Sequence, residues 1–175
     1  ENYGNLVSDC KEKIQVEYVS ANPTGPLHVG HGRGAAVGSA LANLMKAAGM
    51  NVSREYYIND AGNQINNLAA SVNARYLQQL GQTVEFPENG YHGHDIIETA
   101  ERIVRIYGDR FLNMSEEERL KEFRTIALKE KLAALKEDLE AFNVTYDEWF
   151  SEQTLHDANA IKNAFGDEAK NVKVN

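Results

Sequence analysis

Residues 20–38 read Ser-Ala-Asn-Pro-Thr-Gly-Pro-Leu-His-Val-Gly-His-Gly-Arg-Gly-Ala-Ala-Val-Gly, and they lie between two segments of different periodicity. Residues 14–19 alternate apolar and polar side chains, which is typical of a strand. Residues 35–48 place apolar side chains at helical spacing, at Val37, Leu41, Leu44 and Ala48. The sequence therefore predicts a strand that leads into a helix through a loop rich in proline, glycine and histidine.

The start of the predicted helix is a candidate binding site for phosphate. The first N–H groups of a helix have no partner within the helix, and they carry a partial positive charge that attracts anions. His28 and His31 lie there, one turn apart, while Gly30 and Gly32 leave room for a ligand close to the backbone. The two prolines of the loop restrict its conformations. These features predict a nucleotide-phosphate site.

The composition is typical of a soluble globular protein. The 175 residues suffice for one domain, with or without an insertion. The net charge of −8 argues against wholesale coating of nucleic acid, although it leaves room for a local basic patch. Cys10 is the only cysteine, which excludes an internal disulfide and a thiolate zinc site. No apolar run has the length of a signal peptide or a membrane span, so we expect a cytoplasmic protein without membrane contact.

A second strand and a second helix are predicted next. Residues 52–58 are rich in β-branched and aromatic side chains, and they follow Gly49, which ends the first helix. The second helix ends at Gly81 and has apolar residues at helical spacing, which are Ile65, Leu68, Ala69, Val72 and Tyr76. Its N-cap is predicted to be Asn59 or Asp60. Strands and helices that alternate in this order form a parallel sheet. Asn59 and Asp60 then follow the carboxyl end of a strand, so a substrate role is the alternative to capping.

The segment after Gly81 is helical and charged. Following a loop at 83–93, Asp95 with Glu98 predicts a capping box that opens one helix, and Ser115 with Glu118 predicts another. A long helix comes next, and we expect its apolar stripe to be core. That stripe comprises Leu120, Phe123, Ala127, Leu128, Leu132, Leu135, Leu139 and Phe142.

These patterns divide the chain into four parts. Residues 1–13 have no clear period, and we interpret them as a linker from a missing upstream domain. Residues 14–81 are predicted to form the first half of a nucleotide-binding fold, and residues 82–143 a helical insertion. Residues 144–175 return to the sheet, with a strand at 144–150 that a short helix follows.

The glycine-rich stretch has two other interpretations. Gly30, Gly32 and Ala35 match the dinucleotide-binding fingerprint, with Glu55 as its acidic partner, but that fingerprint belongs in a tight turn directly after the strand. Close helix packing would account for the other small residues, which are Gly34, Ala36 and Gly38. Neither interpretation explains the two histidines, whereas a phosphate site explains the histidines and the glycines together.

A metal site has only weak candidates in the sequence. His92 and His94 flank a glycine, and Asp95 follows them. No further ligand lies at a workable spacing. We therefore expect no metal-binding residues.

His28-Val29-Gly30-His31 resembles the first signature of class I aminoacyl-tRNA synthetases, His-Ile-Gly-His, with Val in place of Ile. Nucleotidylyltransferases of the same superfamily share this pattern, so the surrounding sequence is needed to narrow the resemblance. Residues 21–27, 59–64 and 149–152 are similar to bacterial arginyl-tRNA synthetases; they read Ala-Asn-Pro-Thr-Gly-Pro-Leu, Asn-Asp-Ala-Gly-Asn-Gln and Trp-Phe-Ser-Glu. The resemblance is loosest beyond Ala158.

This resemblance implies an α/β fold, with a Rossmann-like parallel sheet of the class I synthetase type interrupted by a helical insertion. It also implies a parent enzyme that uses ATP to join L-arginine to tRNA(Arg) through an arginyl-adenylate. Mg²⁺ would travel with ATP as a co-substrate, without a tightly bound cofactor. The parent would be monomeric and cytoplasmic.

The resemblance further assigns roles to single residues. His28 and His31 would be catalytic, by donating to the charge that develops on the phosphate. Glu17 and Asn22 match the Glu and Asn that hold arginine in the family, although Glu17 taken alone also fits a solvated strand face. The residues expected to bind ATP are Ala21, Pro23, Thr24, Gly25, Pro26, Leu27, His28, Val29, Gly30 and His31. Candidate contacts to substrate or to the tRNA acceptor end are Asn59, Asp60 and Gln64.

Two features depart from the family pattern. The second signature, Lys-Met-Ser-Lys-Ser, is absent, and Asn113-Met114-Ser115 does not supply it because no lysine flanks it. The segments near Ile161 and Gly166 nearly abut, where the family has a longer connection. We therefore expect a truncated catalytic-domain fragment that is inactive by itself. The alternatives are another His-x-Gly-His nucleotidylyltransferase or a non-catalytic, synthetase-like binding module.

Overall fold

A computed structural model of the chain describes residues 3–6 and 12–165. Most of the predicted linker at 1–13 and the last ten residues of the predicted return segment, 166–175, lie outside the described residues. The described part combines three strands with helices, as the sequence predicts. None of its helices is long and apolar enough to cross a membrane.

The strands and helices follow one another in the predicted order. They are β1 (Lys13–Glu17), α1 (Val29–Ala47), β2 (Asn51–Ile58), α2 (Asn63–Gln79), α3 (His94–Tyr107), a 3₁₀ turn (Arg110–Asn113), α4 (Glu116–Ala141), β3 (Glu148–Ser151), α5 (Gln153–Asp157) and α6 (Ala160–Phe165). The strands form one parallel sheet in the order β1-β2-β3, which confirms the predicted α/β class. Parallel pairing brings the carboxyl ends of all three strands to the same edge of the sheet.

Two hydrophobic clusters stabilise the fold. The first joins the sheet to α1 and to the end of α4, and its buried residues are Tyr18, Ala35, Tyr56, Ile58, Leu139 and Val144. The second joins α2, α3 and α4, and its buried residues include Leu68, Val72, Tyr76, Ile96, Ile103, Phe111 and Phe123. The predicted stripe of α4 is therefore core at Phe123, Ala127, Leu135 and Leu139, whereas Phe142 is exposed.

Helix α1 differs from its prediction in both start and orientation. It begins at Val29, six residues earlier than expected, so the histidines belong to its first turn. Its buried residues are the small ones, Ala35, Gly38 and Ala42. The apolar residues at helical spacing point away from the sheet instead; Val37 is 70% exposed, Leu41 49% and Leu44 69%.

Close packing explains this orientation of α1. A Cβ atom added to Gly38 would overlap the Cβ and Cγ atoms of Tyr18, so only glycine lets the helix backbone approach the end of β1. The packing interpretation is therefore correct for Gly38. It is wrong for Gly34 and Ala36, which are exposed.

Helix ends match the predictions in part. Gly49 and Gly81 follow the first two helices with φ of 82° and 78°, a conformation that glycine adopts without strain. The Ser115–Glu118 capping box opens α4 as predicted. Helix α2 has Gly62 as its N-cap without a side-chain bond, so the capping prediction for Asn59 and Asp60 is wrong.

The predicted capping box at Asp95 is also wrong. Gly93 is the N-cap of α3, and no side chain caps that helix. The Asp95 carboxylate instead pairs at 2.5 Å with Lys131 of α4, whose side chain is only 7% exposed. Next to it, Glu130 accepts hydrogen bonds from Thr99 and Arg102. Asp95 therefore forms a long-range ion pair instead of a local helix cap, because the buried Lys131 needs a countercharge.

A second ion pair joins β2 to the segment between α4 and β3. Arg54 donates from Nε and Nη2 to the two carboxylate oxygens of Asp147, each at 3.0 Å, and its backbone N–H donates at 2.8 Å. These hydrogen bonds hold the pKa of Asp147 well below its usual range. The fork geometry fixes the chain just before β3 enters the sheet.

Replacing Gly38 with alanine tests the packing of α1. We expect Gly38→Ala to destabilise the protein by about 1–3 kcal/mol, because the new methyl group overlaps Tyr18. The matched control is Gly34→Ala, where nothing lies within 4 Å of the added Cβ; it should stabilise the helix by about 0.5–1 kcal/mol. Equilibrium urea unfolding measures both changes. Equal stabilisation by the two substitutions would contradict the close approach of α1 to the sheet.

Candidate active site at the carboxyl ends of the strands

The candidate site lies at one edge of the sheet, where the chain leaves the three strands. Glu17 ends β1, and the histidine loop follows it. Asn59 and Asp60 come directly after β2, and Glu152 follows β3. Segments far apart in sequence therefore meet where an α/β sheet binds its ligands.

The two histidines cap the start of α1 reciprocally. His28 is the N-cap, and its Nδ1 accepts from the N–H of Gly30 at 3.1 Å. His31 Nδ1 accepts from the N–H of His28 at 3.2 Å. The imidazole rings stack with their centroids 3.7 Å apart. Each histidine thus satisfies one of the backbone donors that a helix start leaves without a partner.

This capping sets the tautomer of both imidazoles. A ring nitrogen that accepts a hydrogen bond carries no proton, so the proton of each neutral ring lies on Nε2. We infer this tautomer from the hydrogen bonds at Nδ1 of His28 and His31. Two N–H donors therefore remain for a ligand at the start of a helix whose first turn has no acidic residue. Such an arrangement favours an anion such as phosphate.

The two glycines of the signature differ in their surroundings. A Cβ added to Gly30 would lie 2.9 Å from Cε1 of His28, so this glycine makes room for the imidazole ring. Gly32 has no atom within 4 Å of an added Cβ and borders open space. Of the two, Gly32 is the one that leaves the backbone open to a ligand.

The protonation of His31 follows from its environment. Partial burial lowers the pKa of its imidazole below the ordinary value of 6.5, and the neighbouring His28 lowers it further. The neutral ring, which keeps its Nδ1 bond to the backbone, is therefore the stable form at neutral pH.

A cavity of about 360 Å³ lies beside the histidines. Its lining contains Asn22 and five residues predicted to bind ATP, which are Thr24, Gly25, Pro26, His28 and His31. Tyr91, from the loop before α3, completes the lining, although no sequence pattern marked it as a site residue. Ala21 and Pro23 are buried beneath the loop, whereas Val29 is exposed. Of the residues predicted to bind the nucleotide, some therefore line the cavity, while Ala21 and Pro23 pack in the core behind it.

A second cavity, of about 290 Å³, lies at the start of α2. Asn59 and Gln64 line it together with Glu152 and His156. With its amide oriented to satisfy its neighbours, Asn59 donates to the Glu152 carboxylate at 2.7 Å, and it lies 3.2 Å from the side-chain amide of Asn22. The two cavities thus adjoin where Asn22 and Asn59 meet. Glu152 belongs to the quoted Trp-Phe-Ser-Glu segment, but nothing in the sequence placed it or His156 opposite Asn59.

Asp60 is buried and hydrogen-bonded within the fold. It is 8% exposed, and its carboxylate accepts from the Ser151 hydroxyl at 2.6 Å and from the Gln153 N–H at 2.9 Å. Through these two hydrogen bonds, the Asp60 carboxylate links the end of β2 to the end of β3. The candidate contact role of Asp60 is therefore weaker than that of Asn59 and Gln64.

Glu17 lies on the open face of the sheet rather than in either cavity. It pairs in register with Glu55 of β2, which in turn pairs with Glu148 of β3. Residues in register on parallel strands point to the same face, so three carboxylates form a row. Burial raises the pKa of Glu55, and the charges of Glu148 and Glu17 raise it further. This row forms a negative surface, which suits a cation.

The weak metal candidates have other contacts. The His92 ring packs on Phe86, with centroids 4.5 Å apart, and His94 Nδ1 lies 3.1 Å from the Glu98 carboxylate. Among the described residues, no group of three or more His, Cys, Asp or Glu side chains is placed to hold a metal ion.

Comparisons with known proteins agree on one family. Residues 2–161 match the family model for the catalytic domain of class I tRNA synthetases of the arginine type. An arginine–tRNA ligase from Carboxydothermus hydrogenoformans is 57% identical over 162 residues, and one from Listeria welshimeri is 58% identical over 159 residues. These alignments cover 93% and 91% of this chain but only 29% of each relative.

Two solved structures share the fold. A crystal structure of an arginyl-tRNA synthetase from Campylobacter jejuni superposes with a TM-score of 0.80 at 36% identity, over 94% of this chain and 36% of that one. The arginyl-tRNA synthetase of Thermus thermophilus superposes with a TM-score of 0.59 at 26% identity, over 93% of this chain and 27% of that one.

The titration of His31 tests the capping geometry. We expect its imidazole protons to titrate with a midpoint below 6.5 in an NMR pH series, because burial and His28 disfavour the charged ring. Since the folded pKa lies below the unfolded one, this residue's contribution to stability is complete above pH 6.5 and declines as the pH falls below it. His28→Ala should move the midpoint of His31 upward. A midpoint of 6.5 or higher in the unmodified protein would contradict the capping geometry.

Proposed function

The chain belongs to the arginine-type family of class I tRNA synthetase catalytic domains, and we propose that the whole protein joins L-arginine to tRNA(Arg) at the expense of ATP. The chain spans about 29% of the length of the curated relatives that it matches, so the full activity is assigned to the whole protein. The observation that carries the proposal is the pair of Nε2–H donors at the start of α1, in a chain that matches this family.

The first proposed step is formation of arginyl-adenylate. A carboxylate oxygen of arginine attacks the α-phosphorus of ATP, and the bond from that phosphorus to the bridging oxygen breaks to release pyrophosphate. Negative charge builds on the oxygens of the α-phosphate during this exchange. The Nε2–H groups of His28 and His31 and the free N–H groups of the helix start would donate to those oxygens. Donors that are fixed by the capping bonds need no rearrangement when the charge appears.

The nucleotide and its Mg²⁺ would bind in the cavity beside the histidines. Thr24, Gly25 and Pro26 line this cavity at the helix start, where the partial positive charge attracts the phosphates. Mg²⁺ bound to ATP would neutralise part of the phosphate charge, and we propose that it arrives with the nucleotide. Ala21 and Pro23 would act by supporting the loop from below.

Arginine would bind between Glu17 and Asn22. The Glu17 carboxylate can pair with the guanidinium group, and the neighbouring Glu55 and Glu148 strengthen the negative potential of that face. The Asn22 amide lines the histidine cavity, where it can hold the amino-acid end of the substrate close to ATP. This placement would direct the arginine carboxylate toward the α-phosphate.

The second proposed step transfers arginine to tRNA. A hydroxyl of the 3′-terminal ribose attacks the arginyl carbonyl, AMP leaves with the electron pair of the broken bond, and the hydroxyl proton passes to the phosphate of the departing AMP. Asn59 and Gln64 line the adjoining cavity with Glu152 and His156, and we propose that this cavity receives the acceptor end. Its connection to Asn22 through Asn59 would place the ribose next to the adenylate.

Amino-acid-dependent exchange of pyrophosphate into ATP tests the proposed function. The whole protein should catalyse exchange with arginine and with no other standard amino acid, in the presence of tRNA(Arg). Adenylyl transfer to a substrate other than an amino acid would favour a different nucleotidylyltransferase. Nucleotide binding without any exchange would favour a non-catalytic binding module.

Removal of either histidine should slow adenylate formation. We expect His28→Ala or His31→Ala to lower the exchange rate by roughly a hundredfold, with a smaller effect on the KM for ATP, because the lost donor acts on transition-state charge. His94→Ala is the matched control, since this exposed imidazole pairs with Glu98 on α3. Circular dichroism should accompany the assay, because loss of a cap costs about 0.5–2 kcal/mol. An equal loss in ATP affinity and in rate would indicate a ground-state role instead.

Glu17→Gln tests the arginine site. The substitution keeps the size of the side chain but removes its charge, so the KM for arginine should rise by about tenfold or more while the KM for ATP changes little. Glu148→Gln is the matched comparison: it removes a more distant charge of the same carboxylate row, so it should raise the arginine KM much less than Glu17→Gln does. An unchanged arginine KM in Glu17→Gln would contradict the arginine contact and favour the alternative, in which Glu17 is only a solvated residue of the strand.

A further inference from the structure

Two consecutive residues between Glu17 and Asn22 have an unusual backbone conformation. Val19 has φ of 69° and Ser20 has φ of 41°, in the left-handed region. A β-branched residue such as Val19 rarely adopts this conformation, because its side chain crowds the backbone there. The other non-glycine residues with positive φ among those described are asparagines, which tolerate it better. The turn at 19–20 therefore persists only because its surroundings hold it.

Hydrogen bonds from distant parts of the chain hold this turn on both sides. The Tyr146 hydroxyl donates to the carbonyl of Tyr18 at 3.1 Å, and the Tyr56 hydroxyl donates to the carbonyl of Ala21 at 2.9 Å. Between these two bonds, the backbone N–H of Tyr57 donates to Ser20 Oγ at 2.9 Å. The donors lie 35–128 residues away in sequence, so the strained turn depends on tertiary structure.

The two phenol rings are themselves held rigidly. Tyr56 is fully buried and stacks on Trp149 with centroids 4.5 Å apart. Tyr146 packs edge-on against Tyr56 and Trp149, with centroids 5.3 Å and 5.2 Å away. Burial raises the pKa of Tyr56 to about 12 and raises that of Tyr146 as well, so both hydroxyls keep their protons. They are permanent donors at fixed positions.

The turn lies at the point where the two proposed arginine contacts separate. Glu17 belongs to β1 and is fixed by the sheet, whereas Asn22 comes after the turn and lines the histidine cavity. The histidines are held differently, through the local capping bonds of α1. A change in the turn would therefore move Asn22 relative to Glu17 while leaving the phosphate donors in place.

We propose that Tyr56 and Tyr146 are positioning residues for the amino-acid substrate, whose hydroxyls hold the strained turn at Val19 and Ser20 and thereby set the place of Asn22. This inference rests on the proposed function, which assigns arginine to Glu17 and Asn22. The proposed tyrosine bracket consists of these two hydroxyls and the two carbonyls that accept from them.

Tyrosine-to-phenylalanine substitutions in the whole protein test the bracket. Tyr56→Phe and Tyr146→Phe remove the hydroxyls and keep the rings in the aromatic cluster. Each should raise the KM for arginine in pyrophosphate exchange by about fivefold to tenfold, with less than a twofold change in the KM for ATP, because one buried hydrogen bond is lost. Tyr18→Phe is the matched control, since its hydroxyl belongs to the same cluster but donates to the carbonyl of Thr145 at 3.3 Å.

The KM values distinguish positioning from stability. A purely structural role would reduce the folded fraction, which lowers the apparent kcat for both substrates and leaves both KM values unchanged. Unchanged arginine KM values in Tyr56→Phe and Tyr146→Phe would therefore overturn the bracket. So would an increase of the same size in Tyr18→Phe.

A second measurement does not depend on activity. Hydrogen exchange followed by mass spectrometry should show faster exchange in peptides that span residues 18–23 for Tyr56→Phe and Tyr146→Phe, and unchanged exchange there for Tyr18→Phe. Exchange at wild-type rates in both variants would overturn the bracket even if arginine is not the substrate. Absence of arginine-dependent activity in the unmodified protein would instead overturn the proposed function, and the hydrogen-exchange result would still decide the bracket.

Discussion

The close approach of α1 to the end of β1 positions the other parts of the site. Gly38 allows it, because a larger residue would overlap Tyr18, and Ala35 and Ala42 extend the same small face. The helix start is thereby placed at the carboxyl edge of the sheet, where the other loops converge. Once the helix is there, its unpaired N–H groups and the two imidazoles lie beside the residues that follow β2 and β3.

The site has opposite electrostatic character on its two sides. The helix start has hydrogen-bond donors and no acidic residue in its first turn, and the lowered pKa of His31 keeps its ring a neutral donor. The open sheet face has three carboxylates in register, and burial together with the two neighbouring charges raises the pKa of Glu55. The proposed substrates, an anionic nucleotide and a cationic amino acid, match these two sides. The acidic net charge of the protein does not predict this difference between the two sides, because the difference arises from a few neighbouring groups.

Aromatic packing and hydrogen bonding act together behind the site. The cluster of Tyr18, Tyr56, Tyr146 and Trp149 fills the space between the sheet and the end of α4, and its hydroxyls all find backbone carbonyls. Buried hydroxyls need such partners, and here two of the partners belong to the strained turn that leads to the site. The same side chains therefore stabilise both the core and the turn at Val19 and Ser20. Asp147 and Arg54 fix the chain just before β3, which keeps Tyr146 in reach of that turn.

Local sequence patterns account for the order of strands and helices, the parallel sheet, the helix-ending glycines, the Ser115–Glu118 capping box and the two histidines at a helix start. These features depend on residues within a few positions of one another, so local periodicity and capping chemistry predict them. The remaining features depend on tertiary structure. The apolar stripe of α1 faces outward, Asp95 pairs with Lys131, and Asp60 bonds to the end of β3. Long-range packing also places Tyr91, Glu152 and His156 in the cavity linings. Which face of a helix is buried, and which partner a carboxylate takes, depends on elements tens of residues away, and no local pattern carries that information.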